Sequence, residues 1–147
     1  MELAVYTDTL LAILRDHTAA AVDRLRAIDG AMPLKAQNVQ ILVHLPQDAE
    51  GLFSVVVHLG GPDLHVLNKA IADHRTLFDV AFVGAEVRPP VPLFDPFDQP
   101  FPVNDAIVTI AMIWLKEVWT ALGGWHCKLP VTVAGTDSAV RSISLSA

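Results

Sequence analysis

The chain has only one cysteine, Cys127, among its 147 residues, and it has no run of basic residues. A single cysteine excludes an intramolecular disulfide and any zinc site built from several thiolates. Ten Lys and Arg residues are scattered among sixteen Asp and Glu residues, so the basic footprint of a nucleic-acid-binding protein is missing. A polybasic membrane-binding patch is missing for the same reason. The sequence therefore predicts neither nucleic acid nor membrane as a partner.

Long apolar runs are also missing. The longest nearly apolar run, residues 106–115, has about half of the roughly 20 residues that cross a bilayer. The first residues, MELAVYTDTLLAIL, lack the basic region and the small-residue cleavage site of a signal peptide. We therefore expect a cytoplasmic protein.

The composition that is present is that of a globular protein with a large core. Hydrophobic residues make up 52% of the chain and charged residues 18%. A chain of this length fits one domain, and no linker divides it, so we expect a single domain over residues 1–147. The low charged fraction also favours self-association.

Three helices are predicted from apolar residues at three- and four-residue spacing. The first runs from about Thr7 to Ile28, the second from Pro62 to Leu77, and the third from Asp105 to Leu122. Asn104 is the expected N-cap of the third helix, and glycines 123 and 124 are its expected stop.

Five strands are predicted, four of them in two hairpins. Apolar residues alternate over residues 39–45 and 53–59, and pairing Leu45 with Phe53 keeps both apolar sets on one face. Residues 80–87 form a third strand, and residues 129–134 and 140–145 form a second hairpin. The order α-β-β-α-β-α-β-β favours an α+β domain with a mainly antiparallel sheet of about five strands. A doubly wound α/β fold is the alternative.

Candidate chemistry is sparse along the chain. His44 and His58 lie on one sheet face, but the predicted register separates them by roughly 13 Å, too far to share an ion. Cys127 adjoins His126, and neighbours on an extended segment point apart, so they form no catalytic pair. We find no H-E-x-x-H, G-x-S-x-G or phosphate-loop motif. The sequence predicts no catalytic residue, no metal ligand and no cofactor.

The segment from Arg88 to Pro102 holds six of the ten prolines and three of the six phenylalanines. Proline at this density excludes a helix interior or a central strand. A long loop carrying Phe94, Phe97 and Phe101 either seals the core of its own domain or presents aromatic side chains to a partner. We expect two of the three to pack internally and treat all three as candidate binding residues.

Three tryptophans cluster around the end of the third helix: Trp114, Trp119 and Trp125. Core packing is the expectation for Trp114. An apolar pocket between helix and sheet is the alternative, with Trp119 and Trp125 as candidate ligand-binding residues.

A homodimer is a further expectation. Met112 and Ile113 interrupt the polar stripe of the third helix, and Leu42 opposite Val56 gives the first hairpin a second apolar patch. A symmetric dimer would bury such a patch against its own copy. Cover by the proline-rich loop is the alternative.

The last third of the chain resembles a known kind of protein. A helix with the pattern W-L-x-x-V-W, running into GGWHCKLPVTVAGTDS (residues 114–138), is similar to that of small uncharacterised bacterial α+β proteins. The resemblance implies an α+β fold and no function.

Three functions remain open from these observations. The first is a non-enzymatic binding or protein-interaction domain with an unknown protein partner, indicated by the aromatic loop and the absence of catalytic motifs. The second is a small-ligand-binding protein that uses the tryptophan region. The third is an enzyme whose residues assemble only in space.

Overall fold

A computed structural model describes residues 1–146 of the chain. Its main sheet has five strands in the order β3-β2-β1-β6-β7, and β4 and β5 form a separate two-stranded ribbon. The helices are α1 (Leu3–Arg15), α2 (Thr18–Gly30), α3 (Leu64–Lys69) and α4 (Val103–Leu122). The strands are β1 (Asn38–His44), β2 (Ser54–Gly60), β3 (Thr76–Asp79), β4 (Ala81–Val83), β5 (Glu86–Arg88), β6 (Val131–Gly135) and β7 (Ile143–Ser144).

The first hairpin has the predicted register. Leu42 lies opposite Val56, and His44 lies opposite Ser54. The alternating apolar side chains of β1 and β2 are buried under the helices, whereas residues on the other face are half-buried or exposed. Period-two alternation fixes this register because a slip by one residue would turn every apolar side chain outward. The sheet therefore keeps one open face.

The predicted first helix is wrong as a single element, because the chain breaks between α1 and α2. The backbone N–H of His17 donates to Leu14 O at 2.9 Å. The carbonyl of Ile13, its helical partner, instead lies 3.0 Å from the ring nitrogen Nδ1 of His17. A side chain that hydrogen-bonds the backbone in this way competes with the helix.

The predicted second helix is too long. It ends at Lys69, and Leu77 and Phe78 lie in β3 instead, paired with β2. The side chain of Asn68 donates to Leu59 O and accepts from Leu59 N. It thereby supplies hydrogen-bond partners to the backbone N–H and C=O of Leu59, beyond the point where β2 stops pairing with β3. The contact between Asn68 and Leu59 joins two separate elements, and the spacing of apolar residues along a helix carries no information about it.

The predicted strand at residues 80–87 does not join the main sheet. Gly84, at φ +66°, turns the chain between β4 and β5, which pair only with each other. The ribbon is exposed along almost its whole length, and Val87 alone is half-buried. Glycine permits this turn because it adopts positive φ without a steric penalty.

Helix α4 forms the centre of the core. It begins at Val103, and the predicted N-cap Asn104 lies inside it, with its side-chain nitrogen donating to Pro46 O at 3.2 Å. It ends at Leu122, and the C-cap Gly123 has the left-handed conformation expected for a helix stop. Met112, expected on the polar stripe, is 6% exposed and belongs to the core of its own chain.

The second hairpin forms with shorter strands than predicted, and its first strand changes the character of the sheet. Strand β6 pairs antiparallel with β7 but parallel with β1. The fold is therefore α+β, as predicted, with a five-stranded sheet that is mainly antiparallel. Four helices replace the expected three, and the added ribbon alters the element order.

Candidate functional site

The proline-rich loop is anchored by two of its three phenylalanines. Phe94 packs edge-on against Tyr6 with ring centroids 5.1 Å apart, and Phe101 lies 5.4 Å from both rings. Tyr6 is fully buried, so the loop closes the core at the start of α1. Aromatic pairs in this geometry contribute about 0.5–1.5 kcal/mol beyond their buried area.

The third phenylalanine points the other way. Phe97 is 96% exposed and lies in a turn closed by a hydrogen bond from Asp98 N to Asp95 O, 3.1 Å. The carboxylate of Asp95 also accepts from Phe97 N at 2.9 Å. Pro96 occupies the second position of this turn, where its fixed φ is favourable. The exposed ring therefore stands on an ordered turn.

A second loop supports this turn. Phe94 N donates to Glu50 O, and the side chain of Gln99 donates to Ala49 O, both at 2.8 Å. Gly51, at φ +105°, lies so close that an added Cβ would stand 2.6 Å from Pro92 O. The two joined loops, residues 46–51 and 92–100, contain four acidic residues and no Lys or Arg. Phe97 thus stands on a pair of loops whose charged side chains are all acidic.

The β4–β5 ribbon extends this surface. Phe82 is 54% exposed and lines an open concavity with Leu93, which is 46% exposed. Leu93 also lines the neighbouring concavity beside Asp95 and Asp98. We call this surface, formed by Phe82, Leu93 and Phe97 with the acidic residues Asp95 and Asp98, the aromatic end.

The three tryptophans do not form one site, because Trp114 lies apart from Trp119 and Trp125. Trp114 is fully buried, and its ring nitrogen donates to Thr18 Oγ1 at 3.0 Å, so it lines no pocket. Trp119 and Trp125 are half-buried and meet edge to face with centroids 5.4 Å apart. They line a shallow, open concavity with residues 127–130. The nitrogen Nε1 of Trp125 is buried and has no hydrogen-bond partner within residues 1–146.

Two histidines meet on the open face of the sheet, against the sequence-based expectation. The Nε2 atoms of His44 and His58 lie 3.0 Å apart, across the Leu42–Val56 row. The expected separation of roughly 13 Å was a backbone distance along the strand, and both rings lean inward to close it. Within residues 1–146, no third histidine, cysteine, aspartate or glutamate joins the pair as it would in a metal centre.

The guanidinium of Arg75 contacts this histidine pair. Nη2 of Arg75 lies 2.8 Å from Nδ1 of His58. Arginine has no acceptor, so Nδ1 accepts, and Nε2–H of His58 donates to His44. Burial first, and then the charge of Arg75, lowers the pKa of His58. The neutral ring is the form that this arrangement favours.

Asp29 fixes the backbone at Cys127. The backbone N–H groups of His126 and Cys127 both donate to the carboxylate of Asp29, at 2.7 and 3.0 Å. Burial raises the pKa of the Cys127 thiol. A raised pKa disfavours the thiolate, which is the nucleophilic form.

An apolar groove runs between α1 and α4. Leu3, Phe101 and Ile113 line it, and Ile113 is 40% exposed. Of the two residues that motivated a dimer, Ile113 thus stays at the surface, whereas Met112 is covered by its own chain.

The fold and these sites define an α+β protein with one open sheet face and one aromatic end. The chain belongs to a family of unknown function (DUF6389), which matches residues 1–147. The family covers the whole chain, whereas the resemblance seen in the sequence was confined to its last third. No curated protein and no solved structure matches it. None of the helices in residues 1–146 has both the length and the apolar character needed to cross a membrane.

Proposed function

We propose that this protein is a non-enzymatic interaction domain that binds a protein partner through the aromatic end. One observation carries the proposal: Phe97 is almost completely exposed, yet it stands on a turn with two internal hydrogen bonds. A large aromatic side chain in water costs free energy unless it is later buried. A rigid turn also lowers the entropy lost when the ring enters a partner pocket.

The chemistry around Phe97 supports a partner with a basic surface. Four carboxylates and no cation lie in the two loops that support the ring. Complementary charge steers association and excludes like-charged proteins. We therefore expect an apolar pocket bordered by Lys and Arg on the partner. Phe82 and Leu93 extend the apolar contact beside this anchor.

The test compares matched variants in a purified binary complex. A protein captured from the native host is identified and then titrated with wild type, Phe97→Ala and Leu34→Ala. Leu34 is as exposed as Phe97 but lies before β1, at the opposite end of the sheet. We expect Phe97→Ala to weaken binding at least about tenfold, because a central anchor contributes 2 kcal/mol or more. Leu34→Ala should bind like wild type.

A charge variant and the salt dependence of binding distinguish specific binding at the aromatic end from nonspecific adsorption. Asp98→Asn removes a carboxylate whose side chain makes no hydrogen bond within residues 1–146. It should slow association and reduce the salt dependence of binding. Equal affinity of wild type and Phe97→Ala, or capture of no protein, would overturn the proposal.

A small-ligand site is a second candidate function, favoured by Trp125. Its buried Nε1–H has no acceptor within residues 1–146 and lies beside the concavity shared with Trp119. A ligand that supplies an acceptor there should quench tryptophan fluorescence and raise the melting temperature. Trp119→Phe should weaken that response, and a metabolite screen without any response would count against this site.

We also propose a homodimer through the groove between α1 and α4. Ile113 and Leu3, which is 49% exposed, support this proposal as apolar side chains left in solvent. A symmetric contact would place each Ile113 near the copy of the same groove.

A further inference from the structure

A cleft of about 500 Å³ lies between α3 and the sheet, and none of its lining residues belongs to the aromatic end. Strand β3 pairs with the first half of β2 only, and α3 flanks the second half. The side chain of Asn68 fixes α3 there through its two hydrogen bonds to Leu59. The cleft is therefore part of the fold and does not depend on a loose loop.

The titratable residues that line this cleft are all bases. They are His58, His65, Lys69 and Arg75, and the remaining lining residues are Leu64, Asn68 and Ala72. No Asp or Glu belongs to this lining. In a chain of formal net charge -6, a concavity lined only by bases is a local reversal of sign. Such a concavity attracts anions.

Arg75 supplies the most specific observation. Arg75 is a half-buried residue, and within residues 1–146 its guanidinium has no carboxylate within 4.0 Å. Nε donates to Val57 O at 3.1 Å and Nη2 donates to Nδ1 of His58. Arginine has five N–H donors, so three of them have no acceptor among the described residues 1–146. A cation that is partly removed from water without a counter-charge is costly, and a bound anion offsets that cost.

The guanidinium is also positioned in advance. Val57 N donates to Arg75 O at 2.8 Å, so both the backbone and the side chain of Arg75 are fixed to the same residue of β2. Nη2 is fixed by its hydrogen bond to Nδ1 of His58, and Nε2 of His58 lies 3.0 Å from Nε2 of His44. Within residues 1–146, both N–H groups of Nη1 and one of Nη2 remain without an acceptor. A planar fork fixed in this way suits the paired oxygens of a carboxylate or a phosphate.

We propose that this cleft binds a small molecule through an oxyanion group, carboxylate or phosphate, which accepts hydrogen bonds from Arg75 and is neutralised further by Lys69. A purely structural Arg75, one that only joins β2 to the start of β3, would confer no affinity for anions. The two roles are therefore separable by binding measurements.

The experiment titrates the full chain with inorganic phosphate and, in a second arm, with acetate, each against sodium chloride at equal ionic strength. Amide chemical shifts around Val57 and Lys69 are the readout. We expect saturable shifts with one or both oxyanions and none with chloride. The arm that saturates at the lower concentration identifies the preferred group.

Three variants decide the outcome. Lys69→Gln changes an exposed side chain, so it should keep the fold and weaken binding about two- to fivefold. Arg75→Gln should weaken it about tenfold or more, since hydrogen bonds to charged groups contribute about 1.5–3 kcal/mol. Lys116→Gln, on exposed α4 surface away from the cleft, is the control and should bind like wild type.

Binding that is unchanged in both cleft variants would overturn the proposal, as would shifts that chloride reproduces. If Arg75→Gln fails to fold, Lys69→Gln decides alone. Failure here leaves the aromatic end untouched, because the two sites share no residue.

Discussion

The Nε2 atoms of His44 and His58 lie at the hydrogen-bonding distance of 3.0 Å, although the two residues are not cross-strand partners. The two rings reach over the Leu42–Val56 row of the open sheet face. Together with Arg75 they form a row of three basic side chains in which one imidazole receives and passes on a hydrogen bond.

The stability of the fold should fall on acidification because of His58. Its pKa in the folded protein is lowered from 6.5, so between that lowered value and 6.5 the unfolded chain binds more protons. The free energy of unfolding therefore decreases as the pH falls through this window and is constant with respect to this group above it.

Urea denaturation at about pH 8 and at a series of pH values below 6.5 measures the effect. His58→Gln should lose part of the decrease. His44 and Arg75 contact the ring, and His65 and Lys69 line the same cleft. His126→Gln serves as the control, because this exposed histidine belongs to neither group. An identical pH dependence of wild type and His58→Gln would contradict this account.

The three loop phenylalanines should differ sharply in their effect on stability. Phe94→Ala and Phe101→Ala each remove a ring that packs against Tyr6, and each should lower the free energy of unfolding by about 3–5 kcal/mol. Phe97→Ala should change it by less than about 0.5 kcal/mol, because the ring is in solvent. Chemical denaturation of the three variants side by side provides the check, and equal midpoints would contradict it.

Tyr6 should tolerate the loss of its hydroxyl. The oxygen is buried, and it has no hydrogen-bond partner within residues 1–146. Burial raises the pKa of this hydroxyl, as desolvation of the phenolate requires. Tyr6→Phe should therefore unfold at the same or a higher temperature, since an unpartnered buried polar group costs about 1–3 kcal/mol. A clearly lower melting temperature would show that the hydroxyl has a partner.

Replacing Gly51 by alanine should lower the stability of the fold, whereas the same change at Gly30 should not. Alanine at position 51 meets Pro92 O and a φ of +105°, so it should destabilise by about 1–3 kcal/mol. Gly30 ends α2 with no atom near its added Cβ, so Gly30→Ala should be neutral or stabilising by up to about 1 kcal/mol. Thermal melts of both variants test the pair.

The dimer proposal makes a prediction about mass. Light scattering at micromolar concentration should give twice the monomer mass of 15.9 kDa. Ile113→Lys should dissociate the dimer without unfolding it, because the side chain is 40% exposed in one chain. A wild-type monomer would remove the proposal.

The elements that were predicted well are those whose signal is local. The β1–β2 register follows from two alternating runs, so Leu45, Phe53 and their neighbours suffice to specify it. The break at His17 has no such signal. There a ring that contacts Phe78, at 4.9 Å, also engages the carbonyl of Ile13, and Phe78 lies in a distant strand.

The candidate sites follow the same rule. The three loop phenylalanines stand out in the sequence because prolines exclude regular structure around them. Arg75 carried no signal at all. Its contacts come from Val57 and His58 on β2, and its lack of a carboxylate partner within residues 1–146 is visible only when the chain is folded.

The parallel pairing of β1 with β6 has a consequence during synthesis on the ribosome. Leu45 and Thr136, which are hydrogen-bonded at this junction, are 91 residues apart in the chain. One edge of β1 therefore stays unpaired until almost the entire polypeptide has emerged, and contacts this distant slow folding. A nascent or truncated chain that lacks β6 would present a bare apolar strand edge to its neighbours.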